Sequence, residues 1–285
     1  MMAGTASLPH VMMRYFTTPS VKAARRSVGW SLFFIFLLYS SAPMLATLSK
    51  LSLMDPNLPT GIIGKSIADV QAIDWYQNWN QANLMFVSDF NGNGTLELNE
   101  FFMGGKAVVL ATPEVAGLPY VISGLVAAGG MAAAMSTADG LVLAISNALS
   151  HDIYYKMINP KAETAKRLIV ARVLLVIIGF AGATIAALEI QGILGSVIWA
   201  FDFAMSGLFF PLVLGVWWKR ANAQGAVAGM LLGLISGSAY LIWVRNGGAG
   251  FWGVTQLTFG IVGSLVSLVS MIVVSLITKA PDSAT

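Results

Sequence analysis

The sequence predicts an all-α polytopic membrane protein with six transmembrane helices. Two observations carry that expectation. Apolar residues make up 56% of the 285-residue chain and charged residues only 10%, where a soluble domain carries roughly a quarter charged. The mean hydropathy is +0.75, and the apolar residues gather into runs near the roughly 20 residues that cross a bilayer. A water-soluble globular fold is excluded, because so few charges cannot cover its surface.

In chain order, residues 1–27 read as the cytoplasmic end of a helix followed by a basic loop. The first span covers 28–49 (Val28–Ser49), and 50–117 form a loop on the outer side. The second span covers 118–150, with its apolar run at Leu118–Leu149. As one α-helix that run would reach about 48 Å, against a hydrocarbon core of about 30 Å. It must tilt, project or break, and Gly129-Gly130 is the expected break point. A cytoplasmic loop follows at 151–167. Residues 168–278 hold four more spans, at Leu168–Leu188, Gly192–Trp217, Gly225–Val244 and Val254–Ile277, and 279–285 form a cytoplasmic tail.

Basic residues set the orientation, since cytoplasmic loops hold the excess of Lys and Arg. Eleven fall on one side: Arg14, Lys22, Arg25, Arg26, Lys156, Lys161, Lys166, Arg167, Lys219, Arg220 and Lys279. Four fall on the other: Lys50, Lys65, Lys106 and Arg245. Both termini are thus expected in the cytoplasm, in a cell membrane of the bacterial inner-membrane type, with membrane lipids as the surroundings. Arg172 lies just inside the third span and can snorkel. The net charge of +3 comes from these span-flanking residues and does not indicate a nucleic-acid partner. The absence of cysteine and the wide separation of His10 and His151 argue against thiol chemistry and a histidine-pair zinc site. No nucleophile–base arrangement or phosphate loop is visible, so an enzyme is not expected.

The outer loop contains Asp89-Phe90-Asn91-Gly92-Asn93-Gly94-Thr95-Leu96-Glu97-Leu98-Asn99-Glu100, which fits the EF-hand loop pattern. Calcium takes six to eight oxygens. Side-chain oxygens of Asp89, Asn91 and Asn93, the carbonyl of Thr95, Glu97 directly or through water, and both oxygens of Glu100 form the expected Ca2+ set. Asparagines at two ligand positions lower the charge, so the expected affinity is weak, of order 10⁻⁴–10⁻³ M, and the role structural. The other reading is an Asn/Gly-rich turn that binds nothing. Trp75, Tyr76 and Trp79 are expected at the membrane interface, or packed on a helix entering the loop. Glu114 and Glu189 are expected near the outer surface in contact with water.

Along the second span Gly129, Gly130, Ala133, Ser136, Thr137, Gly140, Ala144 and Asn147 recur at three- and four-residue steps, forming one small and polar face. Such a face is a packing seam. It also sets the hydroxyls of Ser136 and Thr137 beside the carbonyl of Ala133 near mid-span, three neutral oxygens of the kind Na+ accepts. Asp139, one turn on, is a carboxylate where charge is costly, and marks a possible second cation or proton site. For Asp202, within the fourth span, a structural partner and a transport role are both open. Pro211 is expected to bend that span, and His151 to cap the inner end of the second.

Gly130-Met131-Ala132-Ala133-Ala134-Met135-Ser136-Thr137, followed by Asp152-Ile153-Tyr154, resembles the sodium-site helix of the sodium:solute symporter family. Gly4-Thr5-Ala6-Ser7-Leu8-Pro9-His10, with Arg14, is similar to the end of that family's sixth core helix. Phe210-Pro211-Leu212-Val213-Leu214-Gly215-Val216-Trp217-Trp218-Lys219-Arg220, with Gly225-Ala226, resembles its tenth helix and the loop after it. The nearest branch is that of cation/acetate symporters, some with an EF-hand-like outer loop. The resemblance implies a partial inverted-repeat (LeuT-like) transporter fold lacking the first six core helices, with Na+ as the coupling ion. It places Ala133, Ser136 and Thr137 at the sodium site and implies a small carboxylate solute such as acetate. The chain is then expected to be a C-terminal half, inactive without a separate N-terminal half as its partner. A calcium-binding membrane protein with a structural or regulatory role is the other expectation.

Overall fold

The computed structural model describes residues 2–188 and 192–280. Glu189 and the tail beyond Ala280 lie outside the described residues. The elements run α1 (Met2–Ala6), α2 (Pro9–Phe16), α3 (Val21–Met54), α4 (Ile67–Gln71), α5 (Asp74–Gln81), β1 (Met85–Val87), β2 (Phe101–Met103), α6 (Val108–Val115), α7 (Tyr120–Asn147), α8 (Thr164–Ala187), α9 (Ile193–Ala204), α10 (Phe210–Trp217), α11 (Ala223–Arg245) and α12 (Gly260–Ile277). Six of the continuous helical segments are long and apolar enough to cross a membrane. They are α3, α7 with its extension to Ile158, α8, α9 continued through α10, α11 and α12. The chain divides into two compact units, one of residues 18–139 and one of residues 1–17 with 140–285.

In the first of these, Ser20 starts α3 by accepting the N–H of Ala23 on its hydroxyl at 3.1 Å, which satisfies one of the orphan donors of a helix start. The chain leaves the apolar run at Met54 and folds a small subdomain. Leu53, Ile62, Val70, Tyr76, Met85, Leu96, Ala107, Ala111 and Val115 form its buried core. Trp75 and Trp79 pack on this core, and the Trp79 indole donates to Glu114 Oε2 at 2.9 Å. These aromatics therefore serve the subdomain interior instead of a membrane interface. Glu114 is half-buried and hydrogen-bonded, a correction to the solvated position expected for it. Ser49 of α3 and Thr112 of α6 share a 2.7 Å hydroxyl–hydroxyl bond, tying the subdomain to the end of the span.

The second span does not break at Gly129-Gly130: α7 runs through both glycines to Asn147 and continues as a π-helical segment to Ile158. Two adjacent glycines lower helix propensity by about 1 kcal/mol each, which is not enough to interrupt a helix whose backbone has no water to turn to. The fourth span also passes through a π-helical stretch, Met205–Phe209, just before Pro211. Proline has no N–H to give to the carbonyl four residues back, and its ring crowds that carbonyl. The wider π turn ahead of it relieves this while the span continues.

Within the unit of residues 1–17 and 140–285, α11 and α12 pack at close range. Gly225, Gly229, Gly233 and Gly237 line one edge of α11, and Ser267, Met271 and Ser275 of α12 are fully buried against it. A Cβ at Gly229 would meet Met271 Cβ and the Ser267 carbonyl at 3.0 Å. One at Gly233 would overlap the carbonyl of Ser206 and approach Ser267 Cβ to 2.8 Å. Close backbone approach through small residues is the means of helix association where lipid supplies no hydrophobic drive. Both ends of the pair are latched. Tyr240 donates to the Val254 carbonyl and accepts from the Phe251 N–H, each at 2.9 Å. At the other end Asn222 caps α11 through Gly225 N–H at 2.8 Å while its amide donates to Thr278 Oγ1 at 2.7 Å.

Gly233→Ala should lower stability by about 1–3 kcal/mol, the usual cost of overpacking. Gly182→Ala on α8, where a Cβ meets nothing within 4 Å, should be neutral or stabilising. Thermal unfolding of both variants in one detergent checks the contrast.

Candidate functional site

Ala133, Ser136, Thr137 and Asp139 lie within two turns of α7. The Thr137 hydroxyl donates to the Ala133 carbonyl at 3.4 Å, so two of the three oxygens singled out in the sequence are already neighbours. Ser136 is the preceding residue, about 100° round the helix. All four residues are exposed, and no side chain of another described element hydrogen-bonds to Ser136, Thr137 or Asp139. On this helix a carbonyl, two hydroxyls and, one turn on, a carboxylate follow one another along the chain, with Thr137 and Asp139 on different sides of the axis.

A second polar group was visible to sequence reading only as a lone carboxylate. Asp202 of α9 is 4% exposed, with one carboxyl oxygen buried and unpartnered among the described residues. Its carboxyl faces the backbone N–H of Gly260, the first residue of α12. A Cβ on Gly260 would come within 2.8 Å of Asp202 Cα, so the close approach requires glycine there. A carboxylate at the positive end of an 18-residue helix is favourably placed. Ser206, one turn later, donates to the Asp202 carbonyl at 2.7 Å and is fully buried. This is the structural partner of the two readings open for Asp202. No spacing rule links positions 202 and 260, so only the fold brings them together.

In the subdomain between α3 and α7 the segment from Asp89 to Glu100 takes a loop conformation closed by its own carboxylates. Asp89 accepts from the N–H groups of Gly92 at 2.7 Å and Gly94 at 3.0 Å. Asn91 and Asn93 accept from the N–H two residues on, at 2.9 and 2.7 Å. Glu100 is fully buried and accepts from Phe90 at 2.9 Å and Glu97 at 3.0 Å. Gly92 and Gly94 both have φ of +71°, the left-handed region that glycine enters without steric cost. Leu96 is fully buried, and its backbone pairs with Gly64 and Lys65 at 2.8 Å. Strands flank the loop, β1 pairing antiparallel with β2 with Phe86 opposite Phe102. No helix enters it directly, and α5 stops at Gln81. Among the described residues no three His, Asp or Glu side chains converge as a metal-binding group. Asp89 and Glu100 accept from backbone N–H groups of the loop, and Glu97 accepts from the side chains of Asn91 and Asn93.

Beyond α7, His151 is not a helix cap: it lies within the π-helical segment and receives a hydrogen bond from Arg167 at 3.3 Å on Nδ1.

Six helices long and apolar enough to cross a membrane, with a small folded subdomain between the first two, define a multi-pass membrane protein. Residues 105–233 match the model of the sodium:solute symporter family. The stretch includes all of α7, and over it the chain is similar to that family. It is 41% identical over 288 residues to a protein of Cupriavidus necator named an uncharacterized symporter, covering 98% of this chain and 41% of that one. It is 28% identical over 235 residues to a monocarboxylic acid transporter of Corynebacterium glutamicum, covering 82% of this chain and 35% of the relative. The chain thus spans well under half the length of either relative.

Glu100→Ala should cost this loop roughly 1–3 kcal/mol, because two part-buried N–H groups lose the buried carboxylate they donate to. Glu97→Ala removes only exposed contacts to Asn91 and Asn93 and should stay within about 0.5 kcal/mol. Amide exchange at Phe90 and Glu97 reads the difference.

Proposed function

We propose that these helices are part of a sodium-coupled symporter for a small carboxylate. The observation that carries the reading is the family match over α7, together with the hydroxyl–carbonyl pair of Thr137 and Ala133 on that helix. Na+ is held by neutral oxygens, and Ser136, Thr137 and Ala133 supply three at one depth. Sodium moving down its gradient would stabilise the outward-facing state that receives solute. Its loss at the cytoplasmic side would let the site collapse and the solute leave. Asp139 is one turn from this set and would take a second cation or a proton. The solute assignment, a small monocarboxylate such as acetate, is supported by the similarity to the Corynebacterium monocarboxylic acid transporter.

Exposed hydroxyls and a carboxylate at membrane depth are costly unless another helix covers them. We therefore place further helices of an inverted-repeat fold against the α7 face, and expect no transport from these helices alone. The bias of basic residues supports an inner-membrane protein with both termini cytoplasmic.

The test grafts residues 105–233 into the corresponding stretch of the Cupriavidus relative and follows uptake of radiolabelled acetate against sodium. Uptake should depend on Na+, and Ser136→Ala with Thr137→Ala should raise the half-saturating Na+ concentration roughly tenfold or more, the equivalent of about 1.4 kcal/mol. An unchanged sodium requirement in the double variant would remove the site assignment.

A second reading rests on the outer loop. Its carboxylate and asparagine oxygens, the two left-handed glycines and the buried Glu100 support weak, structural calcium binding. Millimolar calcium should then slow protease cleavage between Asp89 and Glu100, and Asp89→Ala should abolish that protection; equal cleavage with calcium and with chelator leaves only a turn. If Asp89→Ala with Glu100→Ala stops function while the α7 double variant does not, the calcium-regulated reading replaces transport.

A further inference from the structure

The π-helical extension of the second span, Ala148–Ile158, and the first turns of α8 enclose a cavity of about 220 Å3. Asn147, Ser150, His151, Thr164, Arg167 and Leu168 line it. The Arg167 guanidinium sits 3.7 Å from the centroid of the Tyr155 ring and gives one N–H to His151. Stacking fixes the plane of the guanidinium but does not neutralise it. Among the described residues one ion pair occurs, Lys156 with Asp152 at 3.0 Å, and it occupies one of the two carboxylates of this stretch. Glu163, the other acid of this loop, precedes α8, is exposed, and makes no ion pair. Arg167 is half-buried and faces no anion. Ser150 is 6% exposed, lines the same cavity and makes no side-chain hydrogen bond among the described residues.

Two observations identify what would fill this cavity. The first is position: it lies where one membrane-crossing helix ends and the next begins, with Ile153, Met157, Leu168 and Ile169 exposed around it. The second is charge: Lys161, Lys166 and Arg172 flank Arg167 and have no carboxylate partner among the described residues. A fork of N–H donors suits phosphate oxygens, and basic pockets between membrane helices take anionic head groups. A zwitterionic lipid brings its own ammonium group into this basic field and is disfavoured.

We propose that this cavity binds the phosphate of an anionic phospholipid. Arg167 is the principal contact, with Ser150 and Thr164 as hydroxyl partners, and Tyr155 and His151 orient the guanidinium. The lipid's acyl chains lie along the exposed apolar residues of α8 and the π-helical segment. A lipid seated there would brace the inner end of α7 against α8, where Ser146 already donates to the Ala171 carbonyl at 2.8 Å.

The full chain, purified in mild detergent, is titrated separately with phosphatidylglycerol and phosphatidylcholine, and retained lipid is counted by native mass spectrometry. The wild type should hold phosphatidylglycerol roughly tenfold more tightly. Arg167→Gln should remove at least fivefold of that preference, about the share of one basic residue at a membrane surface. Arg167→Lys should keep most of it, and Lys279→Gln, elsewhere on the chain, should keep all of it. Equal retention of the two lipids, or a preference that survives Arg167→Gln, overturns the proposal. Equal loss in the Gln and Lys variants assigns Arg167 a purely structural role and overturns it too. Release of the bound lipid by millimolar inorganic phosphate would mark a soluble-anion site instead.

Discussion

Inside a bilayer no water reaches a backbone N–H or C=O, so each must find its partner within the protein. That requirement decides where this chain is helical and where other geometries are allowed. The spans continue through adjacent glycines in α7, through Pro43 in α3 and into a proline-led segment at α10. Where the α pattern is not kept, the π pattern replaces it, and the helix changes its pitch without opening its hydrogen bonds. Strands and left-handed turns appear in the subdomain that follows α3, where the chain has left the apolar runs. There the polar side chains of Asp89, Asn91, Asn93 and Glu100 take over as partners for backbone N–H groups.

The same requirement governs the serines and threonines of the spans. Ser238 donates to Leu234, Ser270 to Val266 and Thr184 to Phe180, each to the carbonyl one turn back. Hydroxyls satisfied in this way let α11 and α12 meet through small side chains, and the glycine edge of α11 sets how near they come. Thr137 follows the same habit with Ala133, which is why a packing seam and half of an ion site look alike on one helix. The two readings differ only in what lies opposite.

Much of this was legible in the sequence. Each of the six long helices overlaps an apolar run that could be read without coordinates, because run length and hydropathy report membrane depth directly. The loop from Asp89 to Glu100 was legible as well, since turn chemistry is local: glycines at fixed offsets and short polar side chains reaching nearby N–H groups. The surroundings of that loop were not. Trp75, Tyr76 and Trp79 suit a membrane interface or a small core equally, and only the packing of Ile62, Leu96 and Ala111 around them decides it. The flanking strands are three residues each, too short for alternation to announce them. The contact between Asp202 and Gly260, and the cavity at Arg167, join residues that no period connects.

The stretch from Met205 to Phe209 holds more residues per turn than the helix on either side of it. Tightening it to ordinary α geometry would swivel everything downstream by a sizeable fraction of a turn about the axis, since each residue accounts for about 100°. Trp217 and Trp218 would sweep across the membrane surface, whereas α11 could not follow, because Arg220 and Asn222 moor its start to Thr278 at 2.7 Å. Any such swivel must be taken up between Trp217 and Arg220. Because Asp202 and Ser206 are themselves packed against Gly260 and Gly233, such a swivel is confined to the part of the span beyond Phe209.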